Sequence, residues 1–146
     1  MADQQQLLQL IGRRREGILA GITKAGYPHL TNVFYLWDAD TRTARISTTA
    51  DRVKGRIFRR DSHAALHVAG EHFWSFAVGE GDADTSAVAA EPGDEAIREL
   101  LTVHSAYNAA LDETEFSAQM IAARRLVVRL HVKRVYGVLL DKPPGT

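Results

Sequence analysis

Three hydroxyl residues followed by three evenly spaced cations form the stretch of this chain best equipped for chemistry: Ser47-Thr48-Thr49, then Arg52, Lys54 and Arg56. A β-branched segment leads into the hydroxyls, and Asp51 opens an expected helix over 52–60. A strand-to-helix junction of this kind suits a phosphate. Hydroxyls and the free N–H groups of a first helical turn donate to the anion, and the helix dipole favours negative charge there. Arg52 can grip two phosphate oxygens as a fork, with Lys54 as a mobile point charge. The same residues would also serve as a plain solvated helix start with Asp51 as its N-cap.

Other reactive groups are less organised. His63 and His67 fall on one face of an expected strand, about 13 Å apart at ~3.3 Å per residue, which is too far for one metal ion. The chain has neither an H-E-x-x-H nor a G-x-S-x-G pattern, and nothing pairs its carboxylates across a cleft. Cysteine is absent, which removes disulfides and thiolate metal sites. No metal is expected. Trp37 and Trp74 fit packing or interface roles.

The elements that must position these groups follow from periodicity. A short helix over 3–12 carries Leu7, Leu8, Leu10 and Ile11 on its apolar face, and Arg13-Arg14-Arg15 follows it. Strands are expected over 17–23 and 28–37, joined by a hairpin turn at 24–27. On the second strand Leu30, Asn32, Phe34 and Leu36 share one face, and Thr31, Val33 and Tyr35 share the other. A third strand over 44–48 delivers the hydroxyls. In the helix after it, Val53, Ile57 and Phe58 face inward. A fourth strand covers 62–69. A fifth runs from Phe73 to Ala89, with Gly79 and Gly81 marking a bend or bulge. Two helices follow, one from 92 with Ile97, Leu100, Leu101, His104 and Tyr107 at helical spacing, the other over 112–123 with Phe116, Met120 and Ile121 buried. A long strand over 125–138 closes the chain, and the tail over 142–146 is expected to fray. Five or six strands with an inserted helix and a late helical pair make an α+β fold, and a small, mostly antiparallel barrel fits best.

With 146 residues, a single domain over 1–146 is expected. No apolar run approaches the ~20 residues of a membrane helix. The first six residues lack the features of a signal peptide, so the expected location is cytoplasmic. The net charge of zero conceals strong segregation. Residues 1–70 carry 11 Lys/Arg against 6 Asp/Glu, residues 71–123 carry 1 against 11, and residues 124–146 carry 6 against 1. The acidic middle would serve as solvated surface, while the basic ends could converge on one polyanionic ligand. Nucleic acid is not expected, given a neutral pI and no interleaving of basic and aromatic residues.

Glu16-Gly17-Ile18-Leu19-Ala20-Gly21-Ile22, Gly26-Tyr27-Pro28-His29-Leu30-Thr31-Asn32-Val33, Ile46-Ser47-Thr48, Arg52-Val53-Lys54, Arg59-Arg60-Asp61-Ser62-His63-Ala64-Ala65-Leu66, Trp74-Ser75-Phe76-Ala77-Val78-Gly79-Glu80-Gly81 and Val135-Tyr136-Gly137 occur in that order. In order and spacing this chain resembles the split β-barrel flavin- and deazaflavin-binding proteins related to pyridoxamine-5′-phosphate oxidase. Among these it is most similar to the mycobacterial-type class that uses coenzyme F420. The resemblance implies a six-stranded antiparallel split β-barrel with flanking helices, assembled as a homodimer with two cofactor sites at the interface. It implies that Arg52 and Lys54 hold the cofactor phosphate, with Ser47 and Thr48 beside it and Asn32 along the deazaflavin. Trp74 of the second copy would border the site. Ile57 stands where related sequences often carry Asn, so that end of the site is expected to be less polar. F420, with a phosphodiester and a glutamate tail, is more anionic than FMN. Arg13, Arg14, Arg15, Arg56 and Arg60 offer more positive charge than one phosphate needs, which favours F420 over FMN. The expected activity is F420-dependent hydride transfer with a small conjugated substrate. The alternatives are an FMN-dependent oxidase or reductase of the same fold and a non-catalytic F420-binding protein.

Overall fold

The computed structural model describes residues 2–142. In chain order its elements are α1 (Gln4–Arg13), β1 (Glu16–Ile22), β2 (Pro28–Phe34), β3 (Leu36–Asp38), β4 (Thr43–Thr49), α2 (Val53–Arg60), β5 (His63–Ala69), β6 (Phe76–Thr85), α3 (Glu95–Ser105), α4 (Glu113–Ala122) and β7 (Arg125–Val138). The strands form one curled antiparallel sheet, a half-barrel, in the order β2-β1-β5-β6-β7-β4-β3.

The strand count is seven, not six, because of Tyr35. This side chain is almost fully buried, and its hydroxyl donates to the Ile11 carbonyl at 2.6 Å. Its N–H donates to the Arg15 carbonyl at 2.9 Å. The expected strand over 28–37 therefore breaks at Tyr35, and β3 pairs with β4. The strand expected to start at Phe73 starts at Phe76. Residues 70–75 close a turn in which the Gly70 N–H donates to the Ser75 carbonyl at 2.7 Å. The same strand ends at Thr85, short of Ala89. The bulge signalled by its glycines lies between Glu80 and Gly81, where a Cβ on Gly81 would run into the His131 carbonyl.

Helix α1 begins with a capping box in which the Gln6 N–H donates to the Asp3 carboxylate at 2.8 Å and the Asp3 N–H donates to the Gln6 side chain at 3.1 Å. Its Leu7, Leu10 and Ile11 plug the concave side of the sheet beside Leu19, Ile46, Leu66 and Leu130. A second cluster joins α3 and α4 to the outer face of β7 through Val127, Leu100, Val103 and Phe116. Leu126, Val127 and Val128 are thus all buried, because each face of β7 is covered there, and the strand shows no polar alternation. Ile121 is only partly buried, and Val53 of α2 is exposed, against the expectation that both face inward.

The segregated charges meet across the sheet. Strands β6 and β7 pair the acidic middle with the basic end: Arg134 with Glu80 at 2.6 Å, Lys133 with Asp82, and Arg129 with Asp84 at 3.0 Å. Glu99 of α3 adds contacts to Arg129 at 2.6 Å and Arg45 at 3.0 Å.

Candidate functional site

The site forms where β4 hands the chain to α2. Side chains alternate along β4, so Ser47 emerges outside the barrel and Thr48 points into the core. Thr48 is almost fully buried, and its hydroxyl has no hydrogen-bond partner. Thr48, expected with Ser47 beside the cofactor phosphate, therefore turns its hydroxyl to the opposite face of β4.

The junction turns sharply after Thr49, and α2 lies close against it. A Cβ on Gly55 would come within 2.7 Å of the Thr49 carbonyl. Arg59 secures the turn by donating to the carbonyls of Gly55 at 2.9 Å and Ala50 at 2.6 Å. The N-cap is Arg52, not Asp51, and no side chain caps the first turn. Asp51 instead faces Arg124 at 3.6 Å on the surface. The first-turn amides of α2 therefore remain available to a ligand.

Two further elements converge on Ser47. Arg125, the first residue of β7, donates from a guanidinium nitrogen to the Ser47 hydroxyl at 3.2 Å. His104, near the end of α3, places Nε2 at 2.9 Å from the same hydroxyl. Its ring packs edge-on against Phe116 at 5.1 Å and lies 5.6 Å from the ring of Tyr107. Tyr107 in turn stacks on Phe34 of β2 at 5.4 Å. Phe34 and Asn32 are both exposed on the same face of β2. A surface thus runs from Ser47 through His104, Tyr107 and Phe34 to Asn32. It continues into a 360 Å³ depression lined by Asn32, Phe34, Ile18, His67 and Glu16.

The electrostatics of the junction are one-sided. Burial, then Arg52 and Arg125, push the Lys54 ammonium below its ordinary value. Burial and then Arg52 do the same to Arg125, and burial and then Arg125 depress His104. No carboxylate offsets any of the three shifts. The reason lies in the register. Strand β6 supplies acids opposite β7 only as far as Thr85, which faces Val128, so Arg125 lies beyond the last of them and pairs with Thr49. Its Nε is buried with no hydrogen-bond partner. Three crowded cations, an unpaired buried donor and an uncapped helix start together leave the junction positive and rich in hydrogen-bond donors.

The remaining expected residues sort clearly. Arg56 is exposed one helical turn beyond Arg52. Of the arginines expected to enlarge the cationic field, Arg14 pairs with Glu71 at 3.0 Å, Arg60 donates to the Ile22 carbonyl at 2.7 Å, and Arg15 donates to the Ala106 carbonyl at the end of α3. Glu71 offsets the charge of Arg14, while the carbonyl contacts hold Arg60 and Arg15 in place and leave them charged. Trp74 is exposed and sits beside Phe73 before β6, next to the pairing of Phe76 with Val138. Ser47 pairs with Val127. The two points lie roughly 35 Å apart along β7 at ~3.3 Å per residue, so Trp74 does not reach the Ser47 site of its own chain.

Sequence reasoning missed Arg125, and it assigned His104 and Tyr107 to helix packing alone. The available signal was a cation at the entry of the last strand and two ring residues three apart at the end of a helix.

No family model matches the chain. Solved structures resemble it along nearly its whole length. The conserved hypothetical protein Rv2991 from Mycobacterium tuberculosis shares 21% identity with a TM-score of 0.72, covering 100% of this chain and 94% of that one. A candidate pyridoxamine 5′-phosphate oxidase from Listeria innocua shares 14% identity with a TM-score of 0.66, covering 92% and 96%. An F420 reductase shares 19% identity with a TM-score of 0.66, covering 88% and 94%. The same fold also serves a haem-binding protein of Mycobacterium smegmatis. The chain has the split-barrel fold of the pyridoxamine-5′-phosphate-oxidase-like proteins.

Proposed function

We propose that this chain is an F420-dependent oxidoreductase that works as a homodimer. The observation that carries the reading is the cation cluster of Arg52, Lys54 and Arg125 around Ser47, which no carboxylate offsets and which opens onto an aromatic and amide-bearing face. The cofactor phosphate fits that cluster. The three cations supply charge, and Ser47 and the first-turn amides of α2 supply donors. Arg56, one turn further along α2, lies toward the anionic tail. Phe34, Tyr107 and Asn32 form the surface along which a flat heterocycle lies.

When bound, the deazaflavin supplies hydride chemistry toward a small conjugated substrate. The chain binds and orients the cofactor and covers it from water. No side chain is required as a nucleophile.

A second copy is part of the reading for two reasons. Trp74 can approach the Ser47 end of the site only from a partner, and the outer face exposes a run of large apolar groups. Leu30 is 63% exposed, Phe34 55%, Tyr136 44% and Val138 42%. Such a patch suits burial in an interface. The likeness in fold to an F420 reductase supports the cofactor class. FMN is the second reading, because a phosphate monoester also suits three cations.

Side-by-side titration of the purified protein with F420 and FMN, read by tryptophan quenching, tests the proposal. Tight F420 binding with weak FMN binding is expected, followed by oxidation of the reduced cofactor by an electron-poor alkene or quinone. The reverse preference would move the chain to flavin chemistry. F420 binding with no turnover on any acceptor would make it a carrier.

A further inference from the structure

We propose that His104 is the proton-linked positioning residue of the anion site: when an anion binds, Ser47 turns its hydroxyl to the ligand and His104 takes up a proton. The inference rests on the phosphate site argued above, and it follows from counting hydrogens.

Ser47 Oγ carries one hydrogen. Arg125 has donors only, so at 3.2 Å it must donate to Oγ. Among the described contacts, the acceptor offered to the Ser47 hydrogen is His104 Nε2 at 2.9 Å. The unliganded arrangement therefore runs from Arg125 to Ser47 to a neutral His104. Phosphate and sulfate oxygens accept hydrogen bonds. Once such an anion sits among Arg52, Lys54 and Arg125, the Ser47 hydroxyl donates to it, and Nε2 loses its donor. The short contact to Oγ then persists with Nε2 as the donor, reached by a shift of the ring proton from Nδ1 or by protonation of the ring, and the field of the anion favours protonation.

The surroundings set the direction. From β7 the ring faces Arg125, from the turn after α3 the ring of Tyr107, from β4 Ser47, and from α4 the uncharged Phe116. The cations of α2, Arg52 and Lys54, act on Arg125 from beyond it. Without a ligand the charge that acts on His104 is that of Arg125, while the acid of the junction, Asp51, is exposed and turned to Arg124, and this keeps His104 neutral. The anion reverses that field. No covalent step is involved, and at most one proton moves from solvent to the ring for each anion bound.

Calorimetry in two buffers of different ionisation heat counts that proton directly. The probe for the proton count is sulfate, which does not titrate near neutrality; F420, whose ring hydroxyl does, is titrated for affinity alone. At pH 6.5, the ordinary histidine value, uptake of about half a proton or more per site is expected. Affinity should rise by up to about ten-fold for each pH unit lost between the free and bound values. His104→Gln keeps a donor and an acceptor at this position, and it should bind both anions, sulfate with no uptake. In the wild type, adding sulfate should move the nitrogen resonances of His104 to imidazolium positions, a readout that does not depend on the variant folding. Binding without uptake, unchanged uptake in the Gln variant, or unmoved resonances would overturn the role of His104 and leave the phosphate site standing. Failure of both anions to bind would overturn the site and this inference together.

Discussion

Replacing Arg125 by Met should move stability and ligand affinity in opposite directions. The methionine keeps much of the half-buried aliphatic stem and removes only the guanidinium. In the unliganded protein that guanidinium crowds Arg52 and Lys54 with no acid beside it. At an effective dielectric of ~20, two like charges ~6 Å apart repel by about 3 kcal/mol. Solvent screening of partly exposed groups reduces this, so its relief should stabilise the unliganded fold by about 0.5–1 kcal/mol. The buried Nε that lacks a partner also disappears. In the complex the same change removes a charge-assisted hydrogen bond to an anion, about 1.5–3 kcal/mol, or roughly 10- to 150-fold in Kd. Urea denaturation of the unliganded variant and titration with F420 measure the two quantities on one preparation. A structural arginine behaves differently. Arg129, four residues later, contacts Glu99 at 2.6 Å and Asp84 at 3.0 Å. Arg129→Met should therefore cost about 1–3 kcal/mol of stability and leave Kd unchanged. If Arg125→Met destabilised the unliganded protein and bound F420 like the wild type, Arg125 would be another Arg129, and the anion site would lose its central member.

The charge network on the outer face predicts acid lability. Burial raises the Glu99 carboxyl, but its bonds to Arg129 and Arg45 outweigh that and hold it below its ordinary 4.5. A depressed carboxyl contributes stability above its unfolded value, and that contribution is lost as pH falls through the folded one. Denaturation midpoints should thus decline below about pH 4.5, and Glu99→Gln should flatten the decline while lowering stability at neutral pH. His104 works on a different window. Burial and then Arg125 depress it, so the unfolded chain binds the proton first, and stability should fall as pH drops just below 6.5. His104→Gln should remove that slope in a pH series of urea melts. Gly55→Ala, which forces a Cβ to within 2.7 Å of the Thr49 carbonyl, should cost about 1–3 kcal/mol and loosen the cofactor site with it. For the partner's contribution, a mixed dimer of a Trp74→Ala chain with an Arg52→Ala, Lys54→Ala chain should regain one of two F420 sites. No regained site on mixing would return Trp74 to the site of its own chain, and full binding by the Trp74→Ala homodimer would place it outside the cofactor pocket.

Fold class was legible because α1, β1, β5 and the late helical pair carry local periodicity that tertiary contacts reinforce. The errors fell where a distant partner overrode the pattern. Tyr35 reads as a strand residue, but its hydroxyl and N–H are claimed by Ile11 and Arg15, and the strand breaks there. Val53 reads as inward at helical spacing, but α2 presses on Thr49 through Gly55 and on Gly21 of β1 through Ile57 and Phe58, and the rotation this imposes leaves Val53 outside.

The candidate site divides in the same way. Ser47, Arg52 and Lys54 lie within eight residues of sequence, so their chemistry was visible as a cluster. Arg125 belongs to a strand that carries Arg125, Arg129, Lys133 and Arg134, and nothing local separates a ligand-binding cation from a structural one. The β6–β7 register makes that separation. Glu80, Asp82 and Asp84 of β6, with Glu99 of α3, occupy the later three, while Arg125 lies past the end of β6 and keeps its charge unanswered. Three acids of the middle segment are thus matched by cations of β7, and the proposed anion site draws on the positive charge that this pairing leaves over.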